Sequence, residues 1–218
     1  MGVALGWGFT LVVTDAGAVF SCGISTNAIL GHGSLDCEVL PRRINALMHT
    51  GRRFVAVAAG HGHALALAEE GELYGWGDRG ACGHGCVTRT PRRVAALTGS
   101  LIDERVKLVD AQGGASCAVT EKGELFTWGS SNFFNLGHGV DTPQATPKRV
   151  QGLGGRRLAA ASISVTHTLV ADEDGVVWAL GLSLPLAIAA TPDPGEQNAY
   201  VKTPTPIQTL RVRALKSP

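Results

Sequence analysis

The stretch ALALAEEGELYGWG, Ala64–Gly77, decides the fold. Leu65 and Leu67 alternate with small residues, the period-two pattern of a half-buried strand. Acidic residues and Gly71 then interrupt the run, the chemistry of a tight hairpin turn. Leu73, Tyr74 and Trp76 follow, side chains that suit a pleated surface. The segment therefore reads as two antiparallel strands around a short turn.

Working outward, the same block recurs at TLVVTDAGAVFSCG (10–23), SCAVTEKGELFTWG (116–129) and TLVADEDGVVWALG (168–181). The turn glycines Gly17, Gly71, Gly123 and Gly175 stand 54, 52 and 52 residues apart, and an acidic residue (Asp15, Glu69, Glu121, Asp172) precedes each. Three hairpins are followed by LGHGS (30–34), CGHGC (82–86) or LGHGV (136–140), then by PRRI (41–44), PRRV (91–94) or PKRV (147–150). A strand-like run, such as RFVAVAAG (53–60) or RVKLVDAQG (105–113), precedes each later hairpin. Each unit thus supplies four short strands. Four antiparallel strands per repeat of this length is the arithmetic of a propeller blade. The expectation is an all-β chain: a β-propeller or partial propeller of about four blades, each a four-stranded antiparallel sheet. It forms a single repeat domain over 1–218, with units 1–52, 53–104, 105–157 and 158–218.

Composition agrees. The 218 residues include 29 glycines and 10 prolines, with 44 % hydrophobic and 17 % charged residues. A chain so rich in turn formers, without a collagen triplet, is ordinary globular β protein. The net charge of +1 gives no global case for nucleic-acid binding. No apolar run reaches the roughly 20 residues of a membrane-spanning helix. Five unpaired-looking cysteines and no leader at Met1 point to a reduced intracellular compartment, cytoplasmic or nuclear.

GHGHALALAEEGELYGWGDRGACGHG (60–85) followed by PRRV resembles a repeat of the regulator of chromosome condensation family. The resemblance covers nearly the whole chain and is strongest in the second and third units. Family members are usually seven-bladed propellers, and some of them bind proteins. They include an exchange factor for a small nuclear GTPase that also docks on histones. The resemblance therefore implies protein partners, among them a small GTPase or histones, and carries over no catalytic residue.

Cys82, His84 and Cys86 alternate as metal ligands would. The repeat places Cys82 where Leu30 and Leu136 stand, so it reads as a small core hydrophobe. Cys22, at the position of Trp76 and Trp128, and Cys117, at that of Leu11 and Leu65, read the same way. His63 and His167 share a position and lack a nucleophile partner, which makes them packing residues. No catalytic residue, metal or cofactor is expected. Trp76 and Trp128 are read as packing between blades.

Connections in a meander alternate between two ends. The GHGH and LGHG loops define one end, the top, and the acidic turns the other. The pairs Arg42–Arg43, Arg92–Arg93 and Lys148–Arg149 follow the top loops, so they are expected as three basic spots on the top rim, facing a partner with an acidic surface. The chain ends compete for one slot: VALG (3–6) aligns with VAAG (57–60), and LRVRAL (210–215) approaches a first-strand position. An incomplete ring follows, with open blade edges available for self-association or pairing with another chain, and with residues 207–218 dispensable. Residues 182–206, rich in Pro and Ala, read as a long loop. The reading as a whole is a non-enzymatic interaction scaffold; guanine-nucleotide exchange or chromatin docking are the alternatives.

Overall fold

In a computed structural model of the chain, residues 1–78, 80–94, 104–183 and 199–212 are described. Strands β1 (Gly2–Leu5), β2 (Phe9–Val13), β3 (Val19–Gly23) and β4 (Glu38–Arg43) form one antiparallel sheet in that order. The second sheet is β5 (Phe54–Ala59), β6 (His63–Ala68), β7 (Leu73–Gly77) and β8 (Thr88–Arg93). The third is β9 (Val106–Gln112), β10 (Ala115–Thr120), β11 (Leu125–Gly129) and β12 (Gln144–Arg149). The fourth is β13 (Leu158–Ile163), β14 (His167–Asp172), β15 (Val176–Leu182) and β16 (Tyr200–Arg211). These are four blades of a β-propeller. No helix among the described residues is long and apolar enough to cross a membrane.

The hairpin turns repeat closely. Gly17, Gly71, Gly123 and Gly175 all have φ between 78° and 84°. That left-handed conformation closes a three-residue loop of the type that a glycine allows. The position two residues before each glycine is held by Asp15, Glu69, Glu121 and Glu173, not Asp172: the Glu69, Glu121 and Glu173 N–H groups donate to Arg53, Arg105 and Arg157 carbonyls. Asp172 lies one residue earlier and points inward. Its carboxylate accepts from Val176 N–H at 2.8 Å and Trp178 Nε1–H at 3.2 Å, and pairs with Arg156 at 3.5 Å.

Blades stack in chain order, β1 against β5, β5 against β9, and β9 against β13. Trp76 is fully buried, and its Nε1–H donates to the Ile29 carbonyl of the first blade at 2.6 Å. Trp128 does the same to Ala81 of the second at 2.7 Å. Both tryptophans are joint residues. At the bottom, the turn-glycine carbonyl accepts from the first-strand N–H of the next blade: Gly17 from Phe54, Gly71 from Val106, Gly123 from Leu158, at 3.0–3.1 Å. Gly175 accepts from Val212 at 3.0 Å, so Val212 stands where a further first strand would begin. At the outer edge, Gly33, Gly85 and Gly139 N–H groups donate to Arg89, Ala145 and Lys202 carbonyls of the following blade.

Three expectations change. Residues 182–206 are not all loop, since β16 begins at Tyr200; residues 184–198 lie outside the described residues. β16 is an outer edge strand, where Pro204 and Pro206 need not donate to a further neighbour. Residues 207–218, expected to be dispensable, contribute to the fourth blade: Ile207 is buried with Ala171, Val177, Ala179 and Val201, and Arg211 pairs in register with Val176; residues 213–218 lie outside the described residues. Cys22 is half-buried and not core, because among the described residues no blade packs on the face of the first sheet that turns away from the second.

Candidate functional site: the outer perimeter

The fourth strand of each blade runs from the top back toward the turns. Arg42 pairs in register with Ser21 and Arg43 with Phe20; Arg92 pairs with Gly75 and Arg93 with Tyr74; Lys148 pairs with Thr127 and Arg149 with Phe126. The basic pairs therefore do not crown the top rim. They lie on the outermost strand toward the turn end, because four residues of strand separate them from the loop that precedes it. All six side chains are exposed.

Their surroundings differ in a way the sequence explains. Arg93 pairs with Glu72 at 3.3 Å and Arg149 with Glu124 at 2.6 Å, each acid standing directly after its turn glycine. Ala18 holds that position in the first blade, so Arg43 has no such acid. Arg42 bonds Glu38 at 2.5 Å along its own strand. Among the described residues, Arg43, Arg92 and Lys148 make no ion pair, leaving an uncompensated cation at this position in each of the first three blades. Arg52 and Arg156 are by contrast engaged at the acidic turns, with Glu72 and Asp174.

Beside each pair stands a loop histidine. Ser21 Oγ–H donates to the Leu30 carbonyl at 2.7 Å and accepts from His32 Nε2 at 3.0 Å. Thr127 repeats this with Leu136 and His138, at 2.7 and 3.0 Å. Where Gly75 replaces the hydroxyl, His84 Nε2 reaches the Gly75 carbonyl itself at 3.2 Å. Burial lowers the pKa of all three, with Arg42, Arg92 and Lys148 adding like-charge repulsion; His138 falls to about 4. His63, fully buried, bonds Ser116 Oγ at 2.7 Å, and burial takes its pKa to about 3. The three loop histidines stay neutral and tie loops to strands, and His63 joins β6 to β10; the pattern was hidden in the sequence because the partner is a serine or threonine hydroxyl in two blades and a glycine carbonyl in the other.

The linkage has a definite sign. An unfolded histidine takes its proton near pH 6.5, and these folded ones do so below that, His138 near 4 and His63 near 3. Their stabilisation is complete above pH 6.5 and declines as the pH falls toward 4 and then 3. His138→Gln should therefore flatten the acid limb of a stability-versus-pH curve between about pH 6.5 and 4. An acid limb parallel to that of the unsubstituted protein would refute the assignment.

Cys82, His84 and Cys86 do not act together. Cys82 is buried and its Sγ–H donates to the Cys86 carbonyl, His84 turns to Gly75, and Cys86 is exposed. Burial raises the Cys82 thiol pKa, and that of Cys117 more strongly, as for inert core thiols. A groove of about 480 Å³ lies along the inner strands, bordered by β1, β5, β9 and β13. There Asp110 accepts from Ser162 Oγ at 2.9 Å and Ile163 N–H at 3.0 Å, which ties the third blade to the fourth.

The regulator of chromosome condensation (RCC1) repeat matches residues 16–67, 70–120 and 122–171, and a second description of that repeat matches 54–83. Each match begins just before a turn glycine and so covers the outer half of one blade and the inner half of the next. The human E3 ubiquitin-protein ligase HERC2 is 35 % identical over 173 residues, covering 78 % of this chain and 4 % of HERC2. The ultraviolet-B receptor UVR8 of Arabidopsis thaliana is 32 % identical over 186 residues, 83 % of this chain and 41 % of UVR8. Yeast RCC1 (Prp20), solved bound to Kap60, superposes with a TM-score of 0.73 at 20 % identity, over 95 % of this chain and 48 % of Prp20. The chain thus spans less than half the length of each of these proteins. With three consecutive repeats matched and all four blades built alike, the chain belongs to the regulator of chromosome condensation repeat family.

Proposed function

We propose that the chain is a non-enzymatic interaction scaffold that binds an acidic protein surface along its outer perimeter. The observation that carries this is the uncompensated cation in each of three successive blades, Arg43, Arg92 and Lys148, each beside a second basic residue on an exposed strand. Charges of one sign in a row steer and orient an oppositely charged partner. The backbone beneath them is held by strand pairing, so the row is fixed in position before binding.

The test uses a fluorescent polyglutamate peptide as probe. Replacing Arg42, Arg43, Arg92 and Arg93 by serine should weaken binding roughly tenfold or more, and added salt should weaken it in the unsubstituted protein. Stability should change by no more than about 1 kcal/mol, since both paired arginines are more than half exposed and Glu72 keeps Arg52 as a partner. Equal binding by the quadruple variant reduces these residues to solvated surface. Guanine-nucleotide exchange on a small GTPase, or docking on histones, is supported by family membership alone. Accelerated nucleotide release would favour the former.

A further inference from the structure

We propose that the acidic partner of the perimeter also carries an apolar side chain, which enters a crevice at the joint between the third and fourth blades. This rests on the perimeter reading above and names the second half of what that surface recognises. The crevice holds about 320 Å³ and opens between β16 and β12 with the loop that follows it. Gly137, Lys148 and Gly152 line it from the third blade, and Thr203 from the fourth. Both sheets have all four strands, so the crevice belongs to a finished joint.

Its shape follows from a departure within the repeat. Ile44, Asn45, Ala46 and Leu47 follow β4, and Val150, Gln151, Gly152 and Leu153 follow β12 at the same place. At the first joint a short helix, α1 (Asn45–Met48), lies against β8, and Ala46 packs on the core. Gly152 lacks that methyl group and has a φ of +90°, which a helix does not use. The equivalent residues of the second joint lie outside the described residues.

The walls are fixed before anything binds. Leu136, Val150 and Leu180 pack together in the core of this joint. A Cβ on Gly137 would collide with Leu180, and one on Gly152 would stand 3.5 Å from Pro204 Cδ. The Gly139 N–H donates to the Lys202 carbonyl at 3.0 Å and pins the two blades together. A preformed site spares the ordering cost of binding. The surface inside is mostly carbon, which an aliphatic side chain covers with a gain in free energy.

The polar groups at the crevice sort its occupant by charge. His138 is committed to Thr127 Oγ at 3.0 Å, and Arg149 to Glu124 at 2.6 Å. Lys148 makes no ion pair among the described residues, so it is the cation left for a carboxylate beside the buried side chain. The site therefore suits a segment that sets a leucine-like residue next to an acid, rather than a run of acids alone.

Two fluorescent peptides with the same number of glutamates test this: polyglutamate, and one with leucines interspersed. The leucine peptide should bind the unsubstituted chain roughly tenfold more tightly, the gain from covering part of one aliphatic side chain. Thr203→Phe, which fills the crevice from an exposed strand position, should erase that advantage and leave polyglutamate binding unchanged. Gln151→Phe, from the third-blade wall, should do the same. Lys148→Ser should weaken both peptides. Equal affinity of the two peptides for the unsubstituted chain, or a leucine advantage that survives both filling variants, would overturn the crevice while the perimeter reading stands. If neither peptide binds, the perimeter reading falls and the crevice with it.

Discussion

Trp128→Ala should lower the free energy of unfolding by about 3–5 kcal/mol, the range for emptying a fully buried aromatic site. Trp128 packs with Leu65, Leu67 and Phe126 in the joint between the second and third blades. Its indole N–H is satisfied by Ala81, and that carbonyl also accepts from Ser116 Oγ at 3.0 Å. The carbonyl therefore keeps a donor after truncation, and the loss is chiefly one of packing. Trp128→Phe should recover part of it. Trp7→Ala, by contrast, removes a side chain that is 80 % exposed and should cost under about 0.5 kcal/mol. Denaturant midpoints of the three variants provide the measurement; similar midpoints for Trp128→Ala and Trp7→Ala would remove Trp128 from its role in the joint.

Gly71→Val should be of similar size, about 2–6 kcal/mol, from two causes that add. A branched residue held at φ +84° is strained by roughly 1–3 kcal/mol. Its Cβ would also stand 2.6 Å from Arg105 Cβ and 2.8 Å from Arg105 Cα. That backbone cannot retreat freely, because the neighbouring Val106 N–H is bonded to the Gly71 carbonyl. Forcing volume into a packed site adds roughly 1–3 kcal/mol more. Gly51 separates the causes: its φ is +69°, yet an added Cβ would meet nothing within 4 Å. Gly51→Ala should show backbone strain alone, about 1–2 kcal/mol. Equal losses at the two positions, read from thermal or denaturant unfolding, would show that the turn does not serve as a contact point between blades.

Period-two alternation and the recurring turn glycine made the blades legible in the sequence, because both are local. The joint role of Trp76 and the core role of Cys82 were legible too, since the repeat supplies Leu30 and Leu136 as a reference for the latter. What depended on neighbours was not. Cys22 matches Trp76 in register, and its exposure is decided by the missing contact on its far side. The basic pairs stand at the turn end and not the top because proximity to a loop in sequence is not proximity in space: a strand of six residues carries them away from it. The proline-rich run before Thr205 concealed an edge strand, whose outward N–H groups have no ladder to serve. The charge pattern was the least visible: whether an arginine is free turns on a single residue, Ala18 or Glu72, across a hairpin.

The offset between sequence repeat and blade has a mechanical consequence. Each repeat begins at a turn glycine and ends inside the next hairpin, so every joint lies within one covalent repeat rather than between two. Tension on the chain ends would load the sheet ladders and the joints in alternation, like courses of overlapping brick. Opening any one joint therefore strains a repeat from within, so adjoining blades should yield together rather than singly.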